Sequence, residues 1–156
     1  MYKKYLITGG AGFIGSHLCE KLLNMGHHVI CLDNFYNGKL NNIRGLFNNK
    51  KFYFVEGSVL DVSLLKELTT KCDHIFHLAA QIHVEKSIIH PTETLQINLN
   101  GTKNLLDICT ANKDISMTFA SSAEVYGEGE VEHSEKSPLK PQSPYAASKV
   151  AAEALC

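Results

Sequence analysis

Residues 5–16 impose the first structural choice on this chain. An apolar run, Tyr5-Leu6-Ile7-Thr8, breaks at Gly9, Gly12 and Gly15, and apolar residues then return at helical spacing. The pattern predicts a strand, a tight turn and a helix. Three backbone tasks at such a turn exclude a Cβ: a residue at positive φ, a close approach of main chain to a ligand, and tight packing of helix on strand. The helix that opens here presents unpaired N–H groups and the positive end of its dipole, which together seat a pyrophosphate. A glycine triplet alone is common, but one that follows a strand and precedes a helix stands in the context of a dinucleotide-binding turn.

The next segments extend that reading. Ile14, Leu18, Leu22 and Met25, joined by Cys19 and Leu23, form one predicted apolar stripe, and Gly26 supplies the stop. A second strand, His28 to Leu32, ends in Asp33, 18 residues past Gly15. A carboxylate at that strand end accepts both hydroxyls of an adenosine ribose and repels a 2′-phosphate, which favours NAD over NADP. Residues 34–50 read as a loop with at most a short helical piece. A third strand spans Phe52 to Glu56, and Asp61 either N-caps the helix carrying Leu64, Leu65 and Leu68 or stands near an adenine, two roles that are compatible.

Asp73 to Leu78 is the fourth predicted strand, followed by Ala79, Ala80 and Gln81, whose first two small side chains let a ligand lie across the sheet edge. Pro91 opens a long helix with Leu95, Leu99, Thr102, Leu106 and Cys109 on its buried side and Gly101 at a close approach. Asn98 sits among apolar neighbours there, so its amide must be bonded, to main chain or to a cofactor. Ile115 to Ser121 is the fifth strand, Glu128 to Ser143 a long loop, and Ser143-Pro144 the start of a helix from Tyr145 to Leu155.

Composition narrows the function classes. The 156 residues, 44% hydrophobic and 20% charged, suit one soluble domain, 1–156, without an apolar run that could span a bilayer. A net charge of −1 with no basic block gives no footprint for nucleic acid. Five cysteines without a C-x-x-C pair, and eight histidines without H-E-x-x-H, predict neither a disulfide framework nor a metal site. The N-terminus runs straight into a strand, so the expected location is the cytoplasm.

Tyr145 and Lys149 are four apart on the last helix and therefore share a face. An ammonium beside a phenol favours the phenolate, which makes a general base near neutrality, and Ser122 at the end of the fifth strand can bond the same substrate oxygen. Taken together, Thr8-Gly-Gly-Ala-Gly-Phe-Ile-Gly15, Asp33-Asn34, His77-Leu-Ala-Ala-Gln81, Asn98 with Gly101-Thr102, Ser121-Ser122, Val125-Tyr-Gly127 and Ser143-Pro-Tyr-Ala-Ala-Ser-Lys149 resemble the extended short-chain dehydrogenase/reductases. These are the NAD-dependent sugar-nucleotide epimerases and dehydratases, and the likeness is greatest to UDP-glucose 4-epimerases.

The resemblance implies a Rossmann-like doubly wound parallel sheet of order 3-2-1-4-5. It implies Gly9, Gly12, Phe13, Ile14, Gly15, Asp33 and Asn34 on NAD, with Asp61 and Val62 beside the adenine. Leu78, Ala79, Ala80, Gln81 and Asn98 are implied along the rest of the cofactor. Ser122, Tyr145 and Lys149 are implied at the reacting sugar carbon, with Tyr145 and Lys149 also at the nicotinamide end. The implied chemistry is reversible oxidation at sugar C4 of a UDP-sugar, with NAD regenerated each cycle. Related 4,6-dehydratases carry an acid pair where this chain has Ala123 and Glu124, so the first acid is missing and the epimerase reading is favoured. Glu124 keeps the dehydratase and UDP-glucuronate decarboxylase readings open. Family members are about twice as long, so residues 1–156 are expected to be the N-terminal half of a homodimeric enzyme, without the substrate domain and with little turnover alone. A non-catalytic dinucleotide-binding module is the alternative.

Overall fold

The computed structural model describes residues 2–129 and 132–156. Five strands, β1 (Lys4–Thr8), β2 (His28–Asp33), β3 (Phe52–Glu56), β4 (His74–His77) and β5 (Ser116–Phe119), form one parallel sheet in the order β3-β2-β1-β4-β5. The registers place Leu6 beside Ile30 and Ile75, and Ile75 beside Met117. The short continuous apolar runs of β1 and β2 fit this layout, because helices cover both faces of the central strands.

Alternation along the strands divides the core in two. Leu6, Ile30, Leu32 and Ile75 face one side, where Leu65 and Leu68 of α3 (Val62–Thr69) and Leu105 and Ile108 of α6 (Gly101–Ala111) close over them. Ile7, Val29 and Cys31 face the other, against Cys19, Leu22 and Leu23 of α1 (Phe13–Asn24) and Ile43 of α2 (Leu40–Ile43). The chain winds one way through β1, β2 and β3 and then returns to β4, so a crevice opens at the carboxyl ends of β1 and β4, where open α/β sheets take ligands.

Three expectations are corrected here. On α1, Ile14 and Met25 are exposed, while Gly15, Ser16, Cys19, Leu22 and Leu23 form the buried face; Ile14 turns to the crevice and Met25 is the C-cap. The long helix from Pro91 is not uniform: α5 (Pro91–Leu95) passes through a π turn (Gln96–Asn100) into α6, and its buried residues are Thr94, Asn98, Gly101, Thr102, Leu105 and Ile108. The buried stripe runs one residue ahead of the expected apolar one along its whole length, because Thr94, Asn98 and Gly101 take the inward face, so Leu95 is exposed and Leu99 and Leu106 are only partly covered. A helix that periodicity did not mark, α4 (Val84–Ile89), lies between β4 and α5. The loop from Glu128 to Ser143 is irregular where described, and Glu130 and Val131 lie outside the described residues.

The glycine turn shows why these positions reject side chains. Gly9 is at φ +70, and a Cβ on it would stand 2.7 Å from the Ala79 amide nitrogen at the end of β4. A Cβ on Gly15 would stand 2.7 Å from the Gly10 Cα and closer still to the Gly9 carbonyl. Gly15→Ala is therefore expected to destabilise the domain by about 1–3 kcal/mol, as overpacked sites do, in urea unfolding; an unchanged midpoint would show that the turn yields freely.

Candidate functional site

A cleft of about 590 Å³ runs along the carboxyl edge of the sheet. Its floor is the turn of Gly9, Gly12, Phe13, Ile14 and Gly15. Gly12 N-caps α1 in extended conformation with no side-chain cap and no acid in the first turn. The first amides of α1 therefore point into the cleft without a side-chain partner, which is an anion seat.

Asp33 stands at one end, 7% exposed, its carboxylate accepting from the Ala11 amide at 2.9 Å and the Phe35 amide at 2.8 Å. Two fixed amides orient the carboxylate and leave lone pairs on both oxygens for further donors. Asn34 lines the same end, as do Gly57, Ser58, Val59 and Leu60 after β3. Leu78, Ala79 and Ala80 form the middle of the wall. At the far end are Ala120, Ser121, Tyr145 and Lys149.

Tyr145 and Lys149 are positioned by α7 (Pro144–Glu153). Ser143 caps it by accepting from the Ala146 amide at 3.0 Å, and Pro144 occupies the first turn, where no N–H is needed. The Tyr145 amide, an orphan of that first turn, donates to the buried Ser87 hydroxyl of α4 at 3.1 Å. Lys149 is 4% exposed; its Nζ donates to the Ala120 carbonyl at 2.8 Å and stands 4.7 Å from the centre of the Phe119 ring. Burial lowers this ammonium to about 8, against a smaller opposing pull from Glu153, so it can exchange a proton close to neutrality.

Asn98 and Gln81 lie beneath the cleft instead of lining it. Asn98 Oδ1 accepts from the Gln81 amide at 2.8 Å, and its Nδ2 donates to the Gln81 carbonyl at 3.0 Å and to the Ser148 hydroxyl at 2.9 Å. Ser148 donates in turn to the Tyr145 carbonyl at 2.6 Å. The π turn that carries Asn98 thus ties the end of β4 to the helix bearing Tyr145, and this fully bonded network answers what the buried amide does. Asp61 accepts from the Leu64 amide at 3.0 Å as the N-cap of α3, and neither Asp61 nor Val62 lines the cleft. Ser122 is half-buried at the N-cap of the 3-10 turn Ala123–Tyr126, accepting from the Glu124 amide at 3.2 Å; its neighbour Ser121 is the serine on the cleft wall. Glu124 is exposed.

The structure adds lining residues that sequence reasoning missed: Tyr36, Asn37 and Gly38 from the loop after β2, and Glu93, Gln96 and Ile97 from the α5 end and π turn. Asn37-Gly38 carried a turn signal without a destination. Gln96 and Ile97 carried none.

A second chain of bonds crosses the core. His77 Nδ1 pairs with the Thr8 hydroxyl at 2.7 Å and Nε2 with the Thr102 hydroxyl at 3.0 Å, and Thr102 donates to the Asn98 carbonyl at 2.6 Å. Burial first, and then the Lys149 charge, push the imidazole down to about 3. Between pH 6.5 and about 3 the unfolded chain binds a proton that the folded one refuses, so this contribution to stability is whole above 6.5 and is lost as pH falls. At about pH 5 the expected loss is on the order of 2 kcal/mol, read in urea melts, and His77→Gln should flatten that window; a wild-type stability constant from about pH 7 to 5 would contradict it.

The strand order, the crevice at its switch point and the glycine turn define a Rossmann-like α/β domain. Residues 6–156 match the family described as GDP-mannose 4,6 dehydratase, and the chain belongs to that family, within the extended short-chain dehydrogenase/reductases. It is 40% identical over 162 residues to the UDP-N-acetyl-alpha-D-glucosaminuronate decarboxylase of Bacillus cytotoxicus, covering 100% of this chain and 50% of that protein. It is 36% identical to the dTDP-D-glucose 4,6-dehydratase of Homo sapiens, over 97% of this chain and 45% of the relative. Among solved structures, the UDP-Glc/GlcNAc 4-epimerase of Campylobacter jejuni superposes with a TM-score of 0.91 at 36% identity, over 98% of this chain and 47% of that one. The dTDP-glucose 4,6-dehydratase DesIV of Streptomyces venezuelae, solved with NAD and TYD bound, gives 0.91 at 35% identity over 97% and 50%. The chain spans about half the length of these relatives. Among the described residues no helix is long and apolar enough to cross a membrane.

Proposed function

We propose that the cleft binds NAD and that this chain is the cofactor half of an enzyme oxidising a nucleotide sugar reversibly at C4, most simply a UDP-glucose 4-epimerase-like activity. The observation that carries the NAD assignment is the pairing of an uncapped, Cβ-free helix start at Gly12 with a buried, amide-held Asp33 beside it in the same cleft. An anion seat and a diol acceptor fit the two halves of an adenosine diphosphate. NAD, when bound, accepts a hydride and returns it.

The chain's own residues supply the rest. Tyr145, at the far end of the cleft, takes the proton of the sugar hydroxyl. Lys149 sets a positive charge on the same helix face and anchors to Ala120. Ser122, one residue past the Ser121 wall position and with its Oγ accepting from the Glu124 amide, has its proton free to donate to a sugar oxygen lying beyond that wall. Gln96 and Ile97 shape the entrance.

Ala123 supports epimerisation over dehydration, because it leaves one acid too few for loss of water. Glu124, and the likeness to the Bacillus cytotoxicus decarboxylase, support a second reading in which a 6-carboxyl sugar loses carbon dioxide. Exposed Ile88 and Ile89 on α4, 62% and 71%, support self-association of the whole protein. The test is a panel of UDP-glucose, UDP-glucuronate, their N-acetyl relatives and dTDP-glucose, read as reduction of bound NAD and as product. C4 epimers support the proposal; carbon dioxide or a 6-deoxy-4-keto product moves the protein to the other branches, and NAD binding with no sugar chemistry leaves a binding module.

A further inference from the structure

The loop after β2 makes a crossing that the functions above do not use. Its backbone leaves Asp33, turns through Phe35 at φ 58 and brings Tyr36 and Asn37 along one lip of the cleft. The facing side carries Ile82 on the cleft wall and continues into the start of α4 just outside it. Two contacts join them. His83 Nε2 lies 3.0 Å from Asn37 Oδ1, and Lys86 Nζ stands 4.2 Å from the centre of the Tyr36 ring. Lys86 is steered there by Glu93, whose carboxylate is 3.4 Å away and which also lines the cleft.

Burial does not hold this crossing down, since Tyr36 is 42% exposed and Asn34, Asn37 and His83 are exposed as well. The firm anchor lies further along the loop, where the Lys39 amide and the Asn42 side chain donate to the Ala11 carbonyl at 3.0 and 2.8 Å. The Phe35 ring packs on Phe54 and the core and fixes the start of the segment, so Tyr36 to Gly38 are tied at Phe35 and at Lys39 and meet α4 through the two contacts between. Neither His83 nor Lys86 lines the cleft.

We propose that residues 36–38 are a latch over the bound dinucleotide, with His83 and Lys86 as its keepers, and that opening this latch sets the rate of dinucleotide exchange. The inference rests on the reading of the cleft as an NAD site. A segment that bridges both lips blocks entry as well as exit, and a contact between the lips raises the barrier in both directions without touching the ligand. The signature is kinetic: loosening the keepers speeds association and dissociation together and leaves their ratio alone. Such retention suits a cofactor that is reset within each cycle, because turnover then does not depend on exchange.

The experiment measures NAD association and dissociation by stopped flow on the wild-type chain, on Lys86→Met, on His83→Ala and on the double variant, with thermal melts to verify folding. Lys86→Met keeps the stem and removes the charge. Each keeper lost is expected to raise both rate constants about threefold to fivefold, and the pair about tenfold or more, with Kd within about twofold of wild type. Rates unchanged in the folded double variant would overturn the latch. So would a dissociation rate that rises alone, which would mean that these side chains contact the dinucleotide directly. Absence of NAD binding by the wild-type chain would instead refute the cofactor assignment, and is read in the same traces.

Discussion

Tyr145→Phe is expected to slow hydride transfer from a nucleotide sugar about a thousandfold while leaving NAD affinity within about twofold. The change removes one oxygen and nothing that holds the helix. Ser143 still caps α7, the residue-145 amide still reaches Ser87, and Ser148 still bonds the residue-145 carbonyl and Asn98. Any loss therefore belongs to the phenol and not to a displaced backbone. The readout is single-turnover reduction of bound NAD with nucleotide sugar in excess, compared as a ratio of the two rates. Equal rates would show that another group takes the proton.

The second large effect concerns the other end of the cleft. NADP is expected to bind about a hundredfold more weakly than NAD, and Asp33→Ala to remove most of that difference by weakening NAD. The carboxylate is 7% exposed and pinned by two amides, so it cannot swing away from a 2′-phosphate. Gly38 closes behind it: a Cβ there would stand 2.6 Å from Asp33 Oδ1. Calorimetric titration of both dinucleotides into both proteins decides the matter. Equal affinities in the wild type would remove Asp33 from the discrimination.

What could be read from the sequence follows from how tightly physics restricts residue choice. A turn at positive φ against a neighbouring strand admits only glycine at position 9, so β1, the turn and the presence of a helix after it were legible. Parallel strands covered on both faces need short continuous apolar runs, and β2 and β3 matched their expected spans apart from the inclusion of Asp33. The face of the Pro91 helix was misread because Thr94, Asn98 and Gly101 hold its inward side, small and polar residues that an apolar stripe does not mark. Ile14 was misread because periodicity cannot separate a side chain that faces the core from one that faces a cleft.

The candidate cleft was legible in its two ends, its glycine floor and the Leu78–Ala80 wall, and not in the segments that close around them. Asp33, Tyr145 and Lys149 carry chemistry that a spacing can reveal. Asn98 and Gln81 looked like cofactor contacts and instead brace α7 against the end of β4, a role that depends on which neighbours the fold supplies. Tyr36, Asn37 and Gln96 reach the cleft from segments whose composition is that of ordinary surface.

The position of NAD in the cleft is the most direct test of the proposed function. Amide chemical shifts of the isotope-labelled chain, followed as NAD is added, test this residue by residue. Shifts concentrated at Gly9, Gly12, Ile14, Asp33, Ala79, Ala120, Tyr145 and Lys149, with the small pocket of His17, Glu20 and Gly45 unmoved, are the predicted result. Saturation without shifts at both Asp33 and Lys149, or none at any concentration of NAD, would contradict it.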